Sequence, residues 1–247
     1  MAGALTGKVM LVTGAGSGIG RASAIRLARE GGAMVVVGRD EGKLRETAKS
    51  LGGIDILVHA ADIGDPASVD GLVKATLKRF GRLDVLVNAA GLNVPKRSLA
   101  DCSIEDYQTV IAADLSGAFY LTRGFLATMR AQGGGTVVNI VSDSGWRGNN
   151  FAGVAYIAAK FGLRGLTEAI NAEERQHGIR ATAIYPGEVN TPILDRRPVP
   201  PPPEAREKML QAEDIAECVA LAATLPQRAI IEDLVVRPAI QDWVSRR

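Results

Sequence analysis

Short apolar runs alternate along the chain with longer segments in which apolar residues return every three or four positions. The runs are Val9 to Val12, Met34 to Val37, Ile54 to His59, Leu83 to Asn88, Thr136 to Val141, Arg180 to Tyr185 and Leu234 to Val236, and most are rich in Val and Ile. Unbroken apolar runs of this length predict strands covered on both faces, the pattern of a parallel sheet. The segments of helical period are Arg21 to Glu30, Ser68 to Phe80, Ile104 to Met129, Ala155 to His177 and Asp214 to Leu225. No linker or internal repeat interrupts the alternation. It predicts one α/β domain over 1–247, a doubly wound parallel sheet of about seven strands with helices on both faces. One biased stretch, Arg196 to Pro203 (RRPVPPPP), follows the sixth run. It reads either as a ligand for a polyproline-binding partner or as a stiff loop. Ligands of open α/β sheets sit beyond the carboxyl ends of the strands, so a loop at about 188–210 is placed to cover a site.

Composition narrows the partners. With 47% apolar and 23% charged residues the chain is not of the disordered class, and its 28 glycines show no collagen period. A net charge of +2 gives no general case for nucleic acid. Cys102 and Cys218 are far apart, without a C-x-x-C or Cys/His cluster, so neither a disulfide framework nor a metal site is expected. A reduced, cytoplasmic compartment follows as the default. There is no signal-peptide pattern over residues 1 to 12, and no stretch reaches the ~18 apolar residues of a membrane span.

The first run leads directly into Thr13-Gly14-Ala15-Gly16-Ser17-Gly18-Ile19-Gly20, and a helical pattern begins at Arg21. Glycines in a strand-to-helix turn allow unusual backbone angles and let a pyrophosphate approach the helix N-terminus. The spacing is G-x-x-x-G-x-G, carried by Gly14, Gly18 and Gly20, rather than G-x-G-x-x-G.

With this turn the sequence resembles the short-chain dehydrogenase/reductase family, whose cofactor turn has the form T-G-x-x-x-G-I-G. Further motifs match in family order: Asn88-Ala89-Ala90-Gly91, Asn139-Ile140-Val141-Ser142, Tyr156-Ile157-Ala158-Ala159-Lys160, and Pro186-Gly187 followed by Thr191. The resemblance spans about Gly7 to Pro238. It implies a single-domain Rossmann fold, a nicotinamide dinucleotide, hydride transfer between an alcohol and a carbonyl, and a homotetramer or homodimer built partly on the helices at Ile104 to Met129 and Ala155 to His177. Carried over residue by residue, it assigns cofactor contacts to Thr13, Gly14, Gly16, Ser17, Gly18, Ile19 and Gly20 in the turn. Arg39, Asp62, Asn88, Ala89 and Gly91 follow, then Tyr156, Lys160, Pro186, Gly187, Val189 and Thr191.

Tyr156 and Lys160 are four apart and share a helix face. A phenol with an ordinary pKa of about 10 works near neutrality only if a cation stabilises its anion, and Lys160 is that cation. By resemblance Lys160 also bonds the nicotinamide ribose. Ser142, at the end of the fifth run, would stabilise charge developing on the substrate oxygen, with Ser144 as the competing serine. The family's Asn-Leu-x-Gly-x-Phe reads here Asp114-Leu115-Ser116-Gly117-Ala118-Phe119, so a relay from Lys160 would meet a carboxylate in place of an amide. Asp114 is expected to keep the position and to strengthen the demand for positive charge on Lys160.

Gly38 stands where NAD-preferring members usually carry an acid, and Arg39 beside it suits a 2′-phosphate. NADP(H) is therefore favoured, with NAD(H) the alternative; Asp40 falls one residue too late to serve as the ribose acid. Asp62 matches the adenine-binding position or, alternatively, caps a helix. His59 reads as a packed core residue, and His177 suits a helix C-terminus before Gly178. The substrate pocket is expected from Leu92 to Val94, Trp146 to Phe151, Glu188 and Thr191 to Pro203. Asn93, Arg147, Asn149, Asn150 and Glu188 make it polar enough for a small polar substrate. The C-terminal pattern from Leu225 to Pro238 resembles the 3-hydroxy acid and serine-type subgroup. Two other classes remain open: a dinucleotide-binding redox sensor without turnover, which Asp114 makes thinkable, and a methyl transferase on the same fold, which leaves the Tyr/Lys pair without a purpose.

Overall fold

The computed structural model describes residues 3–149 and 151–239. Its strands are β1 (Val9–Thr13), β2 (Ala33–Gly38), β3 (Ile56–Ala60), β4 (Val85–Asn88), β5 (Gly135–Ile140), β6 (Ile179–Pro186), β7 (Val189–Asn190), β8 (Leu210–Gln211) and β9 (Asp233–Val236). Seven of them form one sheet in the order β3-β2-β1-β4-β5-β6-β9, every pair parallel. The helices are α1 (Gly18–Ala28), α2 (Glu41–Lys49), α3 (Pro66–Phe80), α4 (Ile104–Ile111), α5 (Gly117–Ala131), α6 (Val154–Glu174), α7 (Pro203–Glu207) and α8 (Ala212–Thr224).

Strand side chains alternate between faces, and both faces are apolar. Met10 and Val12 of β1, with Met34 and Val36 of β2, pack against Leu27 of α1, Leu44 of α2 and Val219 of α8. Val9 and Leu11, with Val35 and Val37, pack on the other face against Leu72 of α3, Phe125 of α5 and Ile170 of α6. Two helical layers therefore sandwich the sheet, as the runs of Val and Ile predict. The N-terminal edge of the central strands is pinned by Asp84, whose carboxylate accepts the Val9 N–H (2.9 Å) and pairs with Arg82 (2.6 Å) and Lys8 (3.2 Å). Burial pushes this carboxyl up, but Arg82, the Val9 N–H and Lys8 outweigh it and hold its pKa below the ordinary value. Among the described residues no helix is long and apolar enough to cross a membrane.

Four features depart from the expected pattern. Helix α2 lacks a readable period because only Leu44 and Thr47 of its EGKLRETAK sequence are buried. The segment Ile104 to Met129 is not one helix: a π-helical turn at Ala112–Ser116 separates α4 from α5. His59 is half-buried rather than a core residue, because β3 is an edge strand. The loop after β6 is clamped at its base by a small parallel pair, β7 with β8, and carries a 3-10 turn at Pro192–Arg196 and the short α7. His177 is exposed beyond α6, followed by Gly178 in the left-handed region.

Candidate active site

A cavity of about 1050 Å³ opens at the carboxyl ends of the central strands. Chain order reverses between β1 and β4, leaving a crevice there in which doubly wound sheets bind ligands. The glycine turn, Asp114, Ser142, Tyr156 and Lys160 all line it.

The turn has little room for anything but glycine. At Gly14 φ is +66°, and a Cβ would lie 2.9 Å from the Ala90 Cα; at Gly20 a Cβ would lie 2.3 Å from the Gly14 carbonyl oxygen. Thr13 secures the adjoining segment from behind. Its hydroxyl accepts the Ala89 and Ala90 N–H groups, both at 3.0 Å, and donates to the Val87 carbonyl at 3.3 Å. Asn88 is similarly turned inward, donating to Asn139 at 2.8 Å. Neither Thr13 nor Asn88 lines the cavity. Helices α2, α3 and α4 are capped by the side chains of Asp40, Asp65 and Ser103. Helix α1 is different: Ser17 at its N-cap makes no side-chain capping bond, and its first turn holds no acid. Its leading N–H groups and positive dipole end thus meet the cavity, which fits the pyrophosphate of a dinucleotide.

Gly38, Arg39, Asp40 and Lys43 line the far end. Asp40 is committed to the α2 cap, accepting the Lys43 N–H at 3.1 Å. A Cβ on Gly38 would meet nothing closer than Leu44 at 3.4 Å, so space for a side chain or a ligand group exists there. Lys43 is a second basic residue at this end, missed in the sequence because α2 was not legible. Asp62 lines the cavity and accepts the Gly64 N–H at 2.9 Å; Asp65, not Asp62, caps α3.

At the inner end, Lys160 Nζ donates to the Ile140 carbonyl (3.1 Å), lies 3.3 Å from Asp114 Oδ2 and sits 5.3 Å from the centre of the Tyr156 ring. The π-helical turn presents Asp114, whose Oδ1 accepts the Leu92 N–H at 2.7 Å. A Cβ on Gly91 would lie 3.0 Å from Asp114 Oδ2 and 3.5 Å from Lys160 Nζ, so glycine there leaves the pair its space. Burial works to lower the Lys160 pKa, but the charges of Asp114 and Tyr156 win and hold it above the ordinary value. Burial pushes the Asp114 carboxyl up, opposed by Lys160 and the Leu92 N–H. The Tyr156 phenol is also held above its ordinary value. Burial is the largest cause, Lys160 pulls it down as expected, and Asp114 pushes it up again.

Both serines line the cavity. Ser142 sits against the Tyr156 phenol and favours its charged form, while its Oγ accepts the Ser144 N–H at 3.1 Å and donates to Asp143 at 3.3 Å. Ser144 is buried and accepts from Asn149 at 3.0 Å.

On the substrate side, Leu92, Arg147, Phe151, Glu188, Ile193 and Leu194 line the cavity as expected, and so do Pro186, Gly187, Val189 and Thr191. Asn93 lines it too but is spent on structure, donating to the Ala152 carbonyl and accepting the Val94 N–H. Trp146 does not line it; its ring packs edge-on against Tyr185 at 5.2 Å and beneath Arg164. Val94, Gly148, Asn149, Asp195 and the stretch Pro198 to Pro203 lie outside the lining, and Asn150 lies outside the described residues. Arg196 and Arg197 line it within the expected stretch Thr191 to Pro203, whereas Arg97, Asp143 and Arg237 are lining residues the sequence did not single out. They are brought in by loops, where no periodicity announces which side chains converge.

Sheet order, the crevice at the reversal and the uncapped α1 define a protein built on the dinucleotide-binding α/β fold. The family model for short chain dehydrogenases matches residues 8–199, and the chain belongs to this short-chain dehydrogenase/reductase family of oxidoreductases. It is 34% identical over 234 residues to an uncharacterised oxidoreductase of Staphylococcus aureus (strain USA300), covering 95% of this chain and 98% of that one. Among solved structures it is similar to an alcohol dehydrogenase from the archaeon Thermococcus sibiricus complexed with 5-hydroxy-NADP, with a TM-score of 0.85, 32% identity and coverage of 95% and 97% of the two chains. It is also similar to a 3-ketoacyl-(acyl-carrier-protein) reductase from Brucella melitensis complexed with NADH, with a TM-score of 0.86, 30% identity and coverage of 95% and 98%.

Proposed function

We propose that the protein interconverts an alcohol and a carbonyl compound, small and polar, using a nicotinamide dinucleotide. The observation that carries this reading is the group of Tyr156, Ser142 and the buried Lys160 at the inner end of the same cavity onto which α1 opens uncapped. The α1 turn would hold the pyrophosphate, and Asp62 the adenine. Gly38 leaves room for a 2′-phosphate that Arg39 and Lys43 would bind, which favours NADP(H) over NAD(H). When bound, the cofactor supplies the hydride donor or acceptor.

Within the chain, Ser142 donates a hydrogen bond to the substrate oxygen as charge develops on it. Tyr156 gives that oxygen a proton in reduction and takes it back in oxidation. Lys160, held positive by Asp114, stabilises the phenolate formed when Tyr156 has given up its proton. Asp114 is a positioning residue, anchored by the Leu92 N–H so that its second oxygen faces the ammonium. We place the reaction in the cytoplasm and in a homodimer or homotetramer, whose contact surfaces would use the exposed Tyr107 of α4, Phe119 of α5 and Phe161 of α6.

The test is a panel of hydroxy acids, polyols, aldehydes and ketones with NADP(H) and NAD(H), read by absorbance of the reduced nicotinamide. Turnover that falls about 10²- to 10⁴-fold in Tyr156→Phe, with cofactor binding retained, is the expected result. Tight cofactor binding with no turnover would favour a redox sensor, and turnover insensitive to Tyr156→Phe would refute the assignment.

A further inference from the structure

Arg97 lines the cavity with Ser142 and Tyr156 and is half-buried. Its position is fixed on several sides. Its carbonyl accepts the N–H of Val154, the first residue of the helix that carries Tyr156. Its Cβ packs so closely on Gly153 that a methyl group there would lie 2.5 Å away. Its Nε donates to the Val94 carbonyl at 2.9 Å and its Nη2 to the Arg196 carbonyl at 2.8 Å.

Among the described residues the guanidinium has no counter-charge. Glu188 pairs with Arg197 at 2.9 Å, and the cation felt by Asp143 is Arg237. No carboxylate of the described residues pairs with Arg97. Burial and the neighbouring Arg197 both act against its charge, while Tyr156 is close enough to favour it. Guanidinium carries five N–H donors, and two bonds to neutral carbonyls leave three. A cation fixed in that state, beside the reacting phenol, is poised for a planar anion, since an arginine and a carboxylate form two parallel charge-assisted bonds.

We propose that the substrate is an oxo acid or hydroxy acid whose carboxylate is bound by Arg97. This inference rests on the alcohol–carbonyl reading above and adds to it the charge of the substrate. Arg97 thus sorts carboxylates from neutral carbonyl compounds, and the bonds to Val94 and Arg196 hold it still while it does so.

The test compares reduction of pyruvate, acetoacetate and succinic semialdehyde with that of their methyl esters, with neutral diacetyl and cyclohexanone alongside, using NADPH and NADH. At least one acid is expected to have a lower KM than its ester. Arg97→Gln is expected to raise the acid-to-ester KM ratio about 50-fold, the loss of a charge-assisted hydrogen bond, and Arg97→Lys to restore part of it. Melting temperature and cofactor affinity are measured on each variant to show that it is folded.

An acid-to-ester ratio unmoved in Arg97→Gln, with both substrates impaired alike, would make Arg97 a strut for the Arg196 loop and overturn the inference. If neutral carbonyls are reduced in a Tyr156-dependent manner while no acid is preferred to its ester, the inference fails and the alcohol–carbonyl function stands. If no compound is reduced, both fail.

Discussion

Replacing Asp114 by Asn removes one negative charge from a buried site while keeping its shape. Asn Oδ1 can still accept the Leu92 N–H, but its amide nitrogen then faces Lys160, donor against donor. At the observed 3.3 Å, the lost attraction is about 5 kcal/mol at an effective dielectric of about 20. Breaking a buried pair in this way typically costs about 3–5 kcal/mol of stability. The carboxylate also acts on Tyr156. Asp114 lies 3.3 Å from Lys160 Nζ, itself 5.3 Å from the ring centre, so the carboxylate is within about 9 Å of the phenol ring. A unit charge there is worth about 2 kcal/mol at the same dielectric. Two shifts of one sign follow. Loss of a nearby anion lowers the Tyr156 pKa, and loss of its counter-ion lowers the Lys160 pKa by more. The assay is the pH dependence of kcat/KM for alcohol oxidation, which rises as Tyr156 loses its proton and falls as Lys160 loses its own. In Asp114→Asn both limbs should move to lower pH, the alkaline one further, so that the bell narrows as well as moves. A profile reduced in height with both limbs in place would mean that Asp114 is packing alone, and the electrostatic reasoning would be refuted.

Other outcomes follow from the same geometry. Ser142→Ala should lower kcat about 10²- to 10³-fold, whereas Ser144→Ala, which only loses the Asn149 bond, should cost less than about tenfold; the reverse order in steady-state kinetics would exchange their roles. Gly38→Asp should raise the KM for NADPH at least about tenfold by like-charge repulsion of the 2′-phosphate and leave NADH usable. An unchanged NADPH KM would remove the argument for NADP(H). Asp84→Asn should lower Tm by about 3–6 °C at pH 7. Because the folded Asp84 pKa is depressed, its stabilisation is present above about pH 4 and disappears as pH falls through the folded pKa, so thermal scans of the two proteins should converge in acid. A Tm difference independent of pH would contradict this.

The sheet was legible in the sequence because its strands are buried on both sides and so carry unbroken apolar runs. Helix α2 was not, since a helix lying on the sheet by two residues, Leu44 and Thr47, has no stripe to read. The glycine turn and the Tyr156/Lys160 spacing were legible because each is a local constraint, a tight turn and one helix face. Asp114 was flagged only as a departure from the family pattern. Its approach to Lys160 depends on a π-helical turn that no apolar period marks. Arg97 went unread because it meets its partner across loops separated by about a hundred positions, through its bond to the Arg196 carbonyl. The directions of the Ser142 and Ser144 hydroxyls likewise depend on the path of the loop, which turns one to the phenol and the other to Asn149.

The π-helical turn at Ala112–Ser116 also makes this segment unusually sensitive to length. Its wider hydrogen-bonded ring accommodates a residue beyond the α-helical count, so α5 leaves the turn out of phase with α4 by roughly 100° of rotation. Deleting a single residue, Ala113 for example, would let α4 and α5 merge into one regular helix. Yet the same deletion would rotate Asp114 away from Lys160 or swing the buried Leu121 and Phe125 of α5 off the sheet, because one phase cannot serve both. In this stretch the more regular helix is the one that cannot work, and the surplus residue is the gear tooth that lets one chain segment face two directions.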